Sequence, residues 1–138
     1  MTKKKAIGGI VVYCSDPRTE NANLWKDIKQ HLIPQEQRLT PIGCLGAAVA
    51  LARPADFPVK FAAIMEDIHF ALEEFSEGSF IVVGHDCGIY KRLAPRIFSL
   101  HEKMNDIAIA AGFLRSRFPD MPVAAWFKQA GGPFEPIS

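Results

Sequence analysis

The sequence predicts one α/β domain, built on a mainly parallel, four-stranded sheet with helices on both faces. Three observations predict it. Short β-rich runs at 7–13, 39–42, 79–83 and 121–127 alternate with helical patterns, as strands joined by crossovers do. The chain is 138 residues long, which suits one domain over 1–138 and not two. Apolar residues make up 49% of it, enough for a core without metal or disulfide staples.

The elements follow in order. Lys3, Lys4 and Lys5 begin a charged tail over 1–5, expected to be flexible. The apolar run 7–13 reads as a buried strand that ends at Cys14-Ser15-Asp16-Pro17-Arg18. Pro17 turns Asp16 away from helical geometry, so these side chains belong to a loop beyond a strand end. A short helix over 23–32 is closed by Pro34, and a second strand over 39–42 leads through Gly43 and Gly46 into a small-residue helix over 47–52.

The clearest helix spans 59–75. Phe61, Ile64, Met65, Ile68, Leu72 and Phe75 recur at three- and four-residue steps and form one apolar stripe. Gly78 stops it. The run 79–83 is too short for a helix and bounded by glycines, which marks a buried strand. A long helix over 99–118 turns Met104, Ile107, Ala108, Ala111 and Leu114 inward, and Pro119 ends it. A last strand over 121–127 precedes Gly131-Gly132-Pro133.

Charge excludes some functions. Sixteen lysines and arginines stand against 15 acids, so no general field draws the chain to nucleic acid or an anionic membrane. No apolar run approaches the roughly 20 residues that span a bilayer. The run after the basic start lacks a small-residue cleavage site, so a cytoplasmic protein is expected. Three cysteines make no disulfide framework and point to buried thiols, metal ligands or a nucleophile.

Ligands of parallel sheets bind beyond the carboxyl ends of the strands. Cys14 to Arg18 and Gly84 to Gly88 both fall there. Cys14, His85 and Cys87 make a plausible three-ligand set for zinc, which takes thiolate sulfur at about 2.3 Å and imidazole nitrogen at about 2.0 Å. Three protein ligands leave a fourth vertex for water. Asp16 is placed either to fill that vertex or to accept a hydrogen bond from the water, with Arg18 holding it as a bidentate partner. Cys14 on its own reads equally as a small buried hydrophobe.

Cys14-Ser15-Asp16-Pro17-Arg18 resembles the Cys-x-Asp-x-Arg signature of the beta-class carbonic anhydrases. The apolar strand running into Gly84-His85-Asp86-Cys87-Gly88 is similar to that family's second signature, Gly-His-x-x-Cys-Gly. The interval between motifs and the order of elements are similar over nearly the whole chain, and the segment 124–137 looks like the family's last strand and Gly-containing hairpin. The family's amino-terminal helices are missing. One departure stands out. The family places its histidine three residues before the cysteine, whereas His85 and Cys87 are two apart. Either one residue is deleted, or Gly84 occupies the histidine position. The shorter spacing suits a shared metal only if residues 85–87 are extended and the next helix starts at or after Gly88.

The resemblance implies zinc-dependent, reversible hydration of carbon dioxide to bicarbonate, in a homodimer or dimer-based oligomer. Zinc brings the pKa of bound water toward about 7. Asp16 then orients the hydroxide and Arg18 governs Asp16. A related small linear substrate, carbon disulfide or carbonyl sulfide, fits the same scaffold. A zinc-binding or regulatory protein without catalysis is the alternative, favoured by the short spacing and the missing helices. Cys14 as a phosphatase-like nucleophile is disfavoured, because Pro17 removes an amide donor and Asp16 repels anions. Cys44 is expected to pack, Asp86 to serve a helix start, and His31, His69 and His101 to stay structural; Tyr90 lines the pocket or the core.

Overall fold

The sequence folds into β1 (Gly9–Cys14), α1 (Leu24–His31), β2 (Leu39–Cys44), α2 (Ala47–Ala52), α3 (Pro58–Phe75), β3 (Ser79–His85), a 3₁₀ helix (Gly88–Leu93), α4 (Leu100–Arg117), β4 (Val123–Lys128) and β5 (Phe134–Ile137). This is a computed structural model that describes residues 9–15, 24–32, 39–75, 78–86, 88–129 and 132–137. The expectations for the tail over 1–5 and for Asp16, Pro17, Arg18, Cys87 and Gly131 lie outside the described residues.

The sheet order is β2-β1-β3-β4-β5. The β2–β1, β1–β3 and β3–β4 pairs are parallel, and β5 lies antiparallel on β4. The sheet therefore has five strands, not four. The extra one is four residues long and carries Pro136 opposite Trp126. Proline has no N–H for a ladder, so this strand is tolerated only at an edge, and its pattern is too short to read as a strand. The opposite edge, β2, also carries a proline, the exposed Pro41.

Residues 9–12 of β1 are all buried, as expected of a central strand covered on both faces. Ile10 and Val12 face one side, where they meet Phe80, Val82, Phe127 and residues of α2, α3 and α4. Val11 and Val83 face the other, against Leu24 and Ile28 of α1. Helix α3 presents Ile64, Met65 and Ile68 to the core, with Phe61 and Leu72 half-buried. Burying such a side chain stabilises the fold by about 1.5–3 kcal/mol. Helix α3 starts on Pro58, whose missing N–H costs nothing in a first turn.

Helix α4 buries Ile107, Ala111 and Leu114 as its pattern predicts, together with Ala110 and, unexpectedly, Asp106; Met104 and Ala108 are half-buried. Ser99 is its cap. The Ser99 hydroxyl accepts from the Glu102 amide at 3.1 Å, and the Glu102 carboxylate accepts from the Ser99 amide at 2.8 Å, a reciprocal capping box. Gly84 lets α4 press on the sheet, since a β-carbon there would lie 2.2 Å from Ile107 Cδ1. Among the described residues, no helix is long and apolar enough to cross a membrane.

The winding of this sheet positions the site. From β1 the chain crosses by α1 to β2 on one side; from β3 it crosses by α4 to β4 on the other. The direction reverses between β1 and β3. Crossovers leaving in opposite directions put their helices on opposite faces, and a crevice opens outside the carboxyl ends of those two strands.

Candidate functional site

Cys14 closes β1 and His85 closes β3, so both stand at the mouth of that crevice. Each is only 2% exposed. The two strands pair as far as Tyr13 and Val83. Cys14 falls on the α2 side of the sheet and packs with Val49, Ile89, Tyr90 and Phe98. Strand alternation from Val83, which faces α1, turns His85 toward the α1 side. A metal shared by the two must therefore sit beyond the strand ends, not over either face. Extended backbone continues through His85, Asp86 is a bend, and the next helical turn begins at Gly88. The helix start at Gly88 is as required for His85 to remain a candidate, whereas the bend at Asp86 departs from the extended 85–87 expected and Cys87 lies outside the described residues.

The turn after β2 wraps backbone onto the sulfur. The Gly46 amide donates to Cys14 Sγ at 3.1 Å. Gly46 takes a left-handed conformation, φ 75° and ψ 25°, at the start of α2. A β-carbon there would meet Ile89 atoms at 2.2 to 2.9 Å, so conformation and space both require glycine. Cys44 ends β2 in register with Cys14, and its carbonyl accepts from the Ser15 amide at 3.2 Å. As expected it packs, half-buried, against the main core.

Beneath Cys14 lies a polar network that the sequence did not reveal. Asp106 Oδ2 accepts from Tyr90 Oη at 2.7 Å and from Arg53 Nε at 2.8 Å. The Arg53 guanidinium also lies 4.7 Å from the Phe98 ring centre, and the Tyr90 and Phe98 rings are 4.8 Å apart. Burial acts to lower the Arg53 pKa, but the hydrogen bond and charge of Asp106 outweigh it and raise the pKa above the usual arginine value. One signal was present. Asp106 precedes Ala110 and Leu114 at four-residue steps, so a carboxylate heads an apolar stripe and must find a partner there.

The remaining candidates are ordinary. Asp86, expected to serve a helix start, is exposed and paired with Lys103 of α4 at 2.5 Å. Tyr13 stacks on Trp25 with ring centres 5.3 Å apart, and burial raises its phenol pKa. His31, His69 and His101 are exposed on their helices; His69 meets Phe118 edge-on at 5.8 Å.

Among the described residues, no group of three His, Cys, Asp or Glu side chains is placed to hold a metal ion. Cys87 and Asp16, two members of the expected set, are not among them. What is described fits zinc in kind. A sulfur that accepts a backbone N–H can disperse thiolate charge, and sulfur beside imidazole is a donor pair zinc accepts. No protein-family model and no curated protein matches this chain.

Proposed function

We propose that this chain is a zinc enzyme of the beta-carbonic-anhydrase kind, hydrating carbon dioxide reversibly to bicarbonate in the crevice between β1 and β3. The supporting observation is the strand order, which reverses its winding between the two strands that carry the two motifs. Cys14, Cys87 and His85 form the ligand set that the resemblance implies, and zinc held there supplies the Lewis acidity that makes water nucleophilic near neutral pH.

The chain's own residues do the rest. Asp16 accepts a hydrogen bond from the attacking oxygen and aims its lone pair at the carbon. Arg18 pairs with the Asp16 carboxylate and keeps it from competing for the metal. The new carbon–oxygen bond forms as one C=O electron pair moves onto oxygen, and the proton of water leaves to solvent. Ile89, Tyr90 and Phe98, packed around Cys14, give an apolar wall suited to a small uncharged substrate. Phe70 of α3 and Ile109 of α4 are 56% and 46% exposed, consistent with a partner copy covering the helices.

A second reading, a zinc-binding or regulatory protein without catalysis, draws support from the opposed approach of Cys14 and His85. Zinc analysis and carbon dioxide hydration assays on the wild type, Asp16→Ala and Cys87→Ser separate the two. The enzyme reading expects about one zinc per chain and activity lost in both variants. Zinc without hydration selects the second reading, and full activity in Cys87→Ser ends the first.

A further inference from the structure

We infer that the cavity between α1 and strands β4 and β5 binds a small aromatic zwitterion, a ligand of the aromatic amino acid class. The cavity measures about 440 Å³, and its walls include Asp27 and His31 of α1, Leu32 just after it, and Trp126, Lys128 and Phe134 of the two strands. Small-molecule sites measure about 300–1,000 Å³. None of these residues belongs to the proposed zinc site, so the cavity stands whether or not a metal binds near Cys14.

The fold brings the walls together on the α1 side of the sheet. Leu24 and Ile28 seat α1 on Val11 and Val83, and Leu32 and Phe134 pack against the same cluster. Asp27 and His31 are four residues apart, so they project from one face of α1. Trp126 and Lys128 pair in register with Val83 and His85, and in-register residues share a face. Val83 faces α1, so the indole and the ammonium turn toward it too.

The cavity presents both signs of charge without joining them. Asp27 and Lys128 are each half-buried, yet among the described residues no ion pair links the two. Lys128 Nζ donates to the Gly132 carbonyl at 2.9 Å and lies 5.8 Å from the Phe134 ring centre. An ammonium has three donors, so this bond fixes its position and leaves donors for a ligand. On the same ring, the His31 imidazole is tilted at 6.3 Å.

These charges select the ligand. A simple anion is repelled by Asp27, and a simple cation by Lys128. An uncharged apolar molecule strips water from both without replacing it. A carboxylate on Lys128 together with an ammonium on Asp27 satisfies both by charge-assisted hydrogen bonds. Trp126 and Phe134 then offer apolar ring surface to an aromatic group.

Isothermal titration calorimetry of the full chain with L-phenylalanine tests the inference. Saturable binding is expected, with the Trp126 indole N–H resonance shifting on addition. Phenethylamine lacks the carboxylate and phenylpropionate lacks the ammonium. Each should bind the wild type at least about tenfold more weakly, as the loss of one charge-assisted bond implies. Asp27→Asn should weaken L-phenylalanine about tenfold and leave phenylpropionate no weaker. No saturable binding of L-phenylalanine would overturn the inference, as would equal affinity for all three compounds. Binding that Asp27→Asn leaves unchanged places the ligand elsewhere, the metal included, and overturns it too. The three compounds on the wild type decide the matter even if the variant folds poorly.

Discussion

Replacing Asp106 by alanine should be the most damaging single change beneath the site. Its carboxylate is 2% exposed and takes two hydrogen bonds on one oxygen, from Arg53 at 2.8 Å and Tyr90 at 2.7 Å. Alanine takes away the acceptor that Asp106 offers a buried phenol hydroxyl, at about 1–3 kcal/mol, and removes a charge-assisted bond of about 1.5–3 kcal/mol. Arg53 is 19% exposed and keeps Asp56 at 3.7 Å, so its charge is not wholly abandoned. The sum belongs near the lower end of the range for a broken buried pair, about 3 kcal/mol.

For a chain of 138 residues, that loss lowers Tm by about 10 °C. Urea titration with circular dichroism measures it, and Asp106→Asn should cost about half as much because an acceptor remains. A double-mutant cycle with Arg53→Met should return a coupling of about 1–3 kcal/mol. Arg53 has a raised pKa, so the stabilisation linked to its own proton is complete below the arginine range and is lost as pH rises through it. A loss under about 1 kcal/mol for Asp106→Ala would refute the network as a structural element.

Gly46→Ala places a β-carbon against Ile89 and forces a left-handed residue; it should cost about 2–4 kcal/mol and weaken zinc binding in chelator competition, because the amide leaves Cys14 Sγ. At the start of α4, the Ser99 amide and hydroxyl hold the Glu102 carboxyl below its usual pKa. A depressed pKa stabilises above the unfolded value and is lost as pH falls through the folded one, so acid should fray this turn first, seen as faster amide exchange over 99–103 at low pH. Glu102→Gln should abolish that pH dependence. Ser99→Ala should cost about 1 kcal/mol at neutral pH in a thermal melt.

Periodic elements were legible. Helix α3 carries its stripe in plain view, and α4 shows the inward Ile107, Ala111 and Leu114, while its Ser99–Glu102 cap came from the structure. The strands were found as well, but β3 runs on to His85, because nothing in Gly84-His85 marks where pairing to β4 stops. Strand β5 was missed for a physical reason: four residues with a proline show no alternation, and pairing with β4 alone makes them a strand. The 3₁₀ helix Gly88–Leu93 is likewise too short for periodicity to speak.

The candidate site was legible only as chemistry. Cysteines, a histidine and the Asp-Arg pair identify themselves at strand ends, yet which sulfurs neighbour each other depends on strand order and register. Cys14 and Cys44 are thirty positions apart and become neighbours only because β2 lies beside β1. The partners of Asp106 stay hidden for the same reason, since Arg53 and Tyr90 come from a loop and a 3₁₀ helix; only the carboxylate heading an apolar stripe of α4 shows in the sequence.

Both margins of the sheet carry a proline, Pro41 on β2 and Pro136 on β5. A strand arriving from another molecule would find a missing donor at either rim. Lateral accretion of copies into a continuous ribbon is thereby discouraged. Self-association is left to the helical flanks, where Phe70 and Ile109 meet water, and a crowded solution of this protein gains some protection from fibrous assembly.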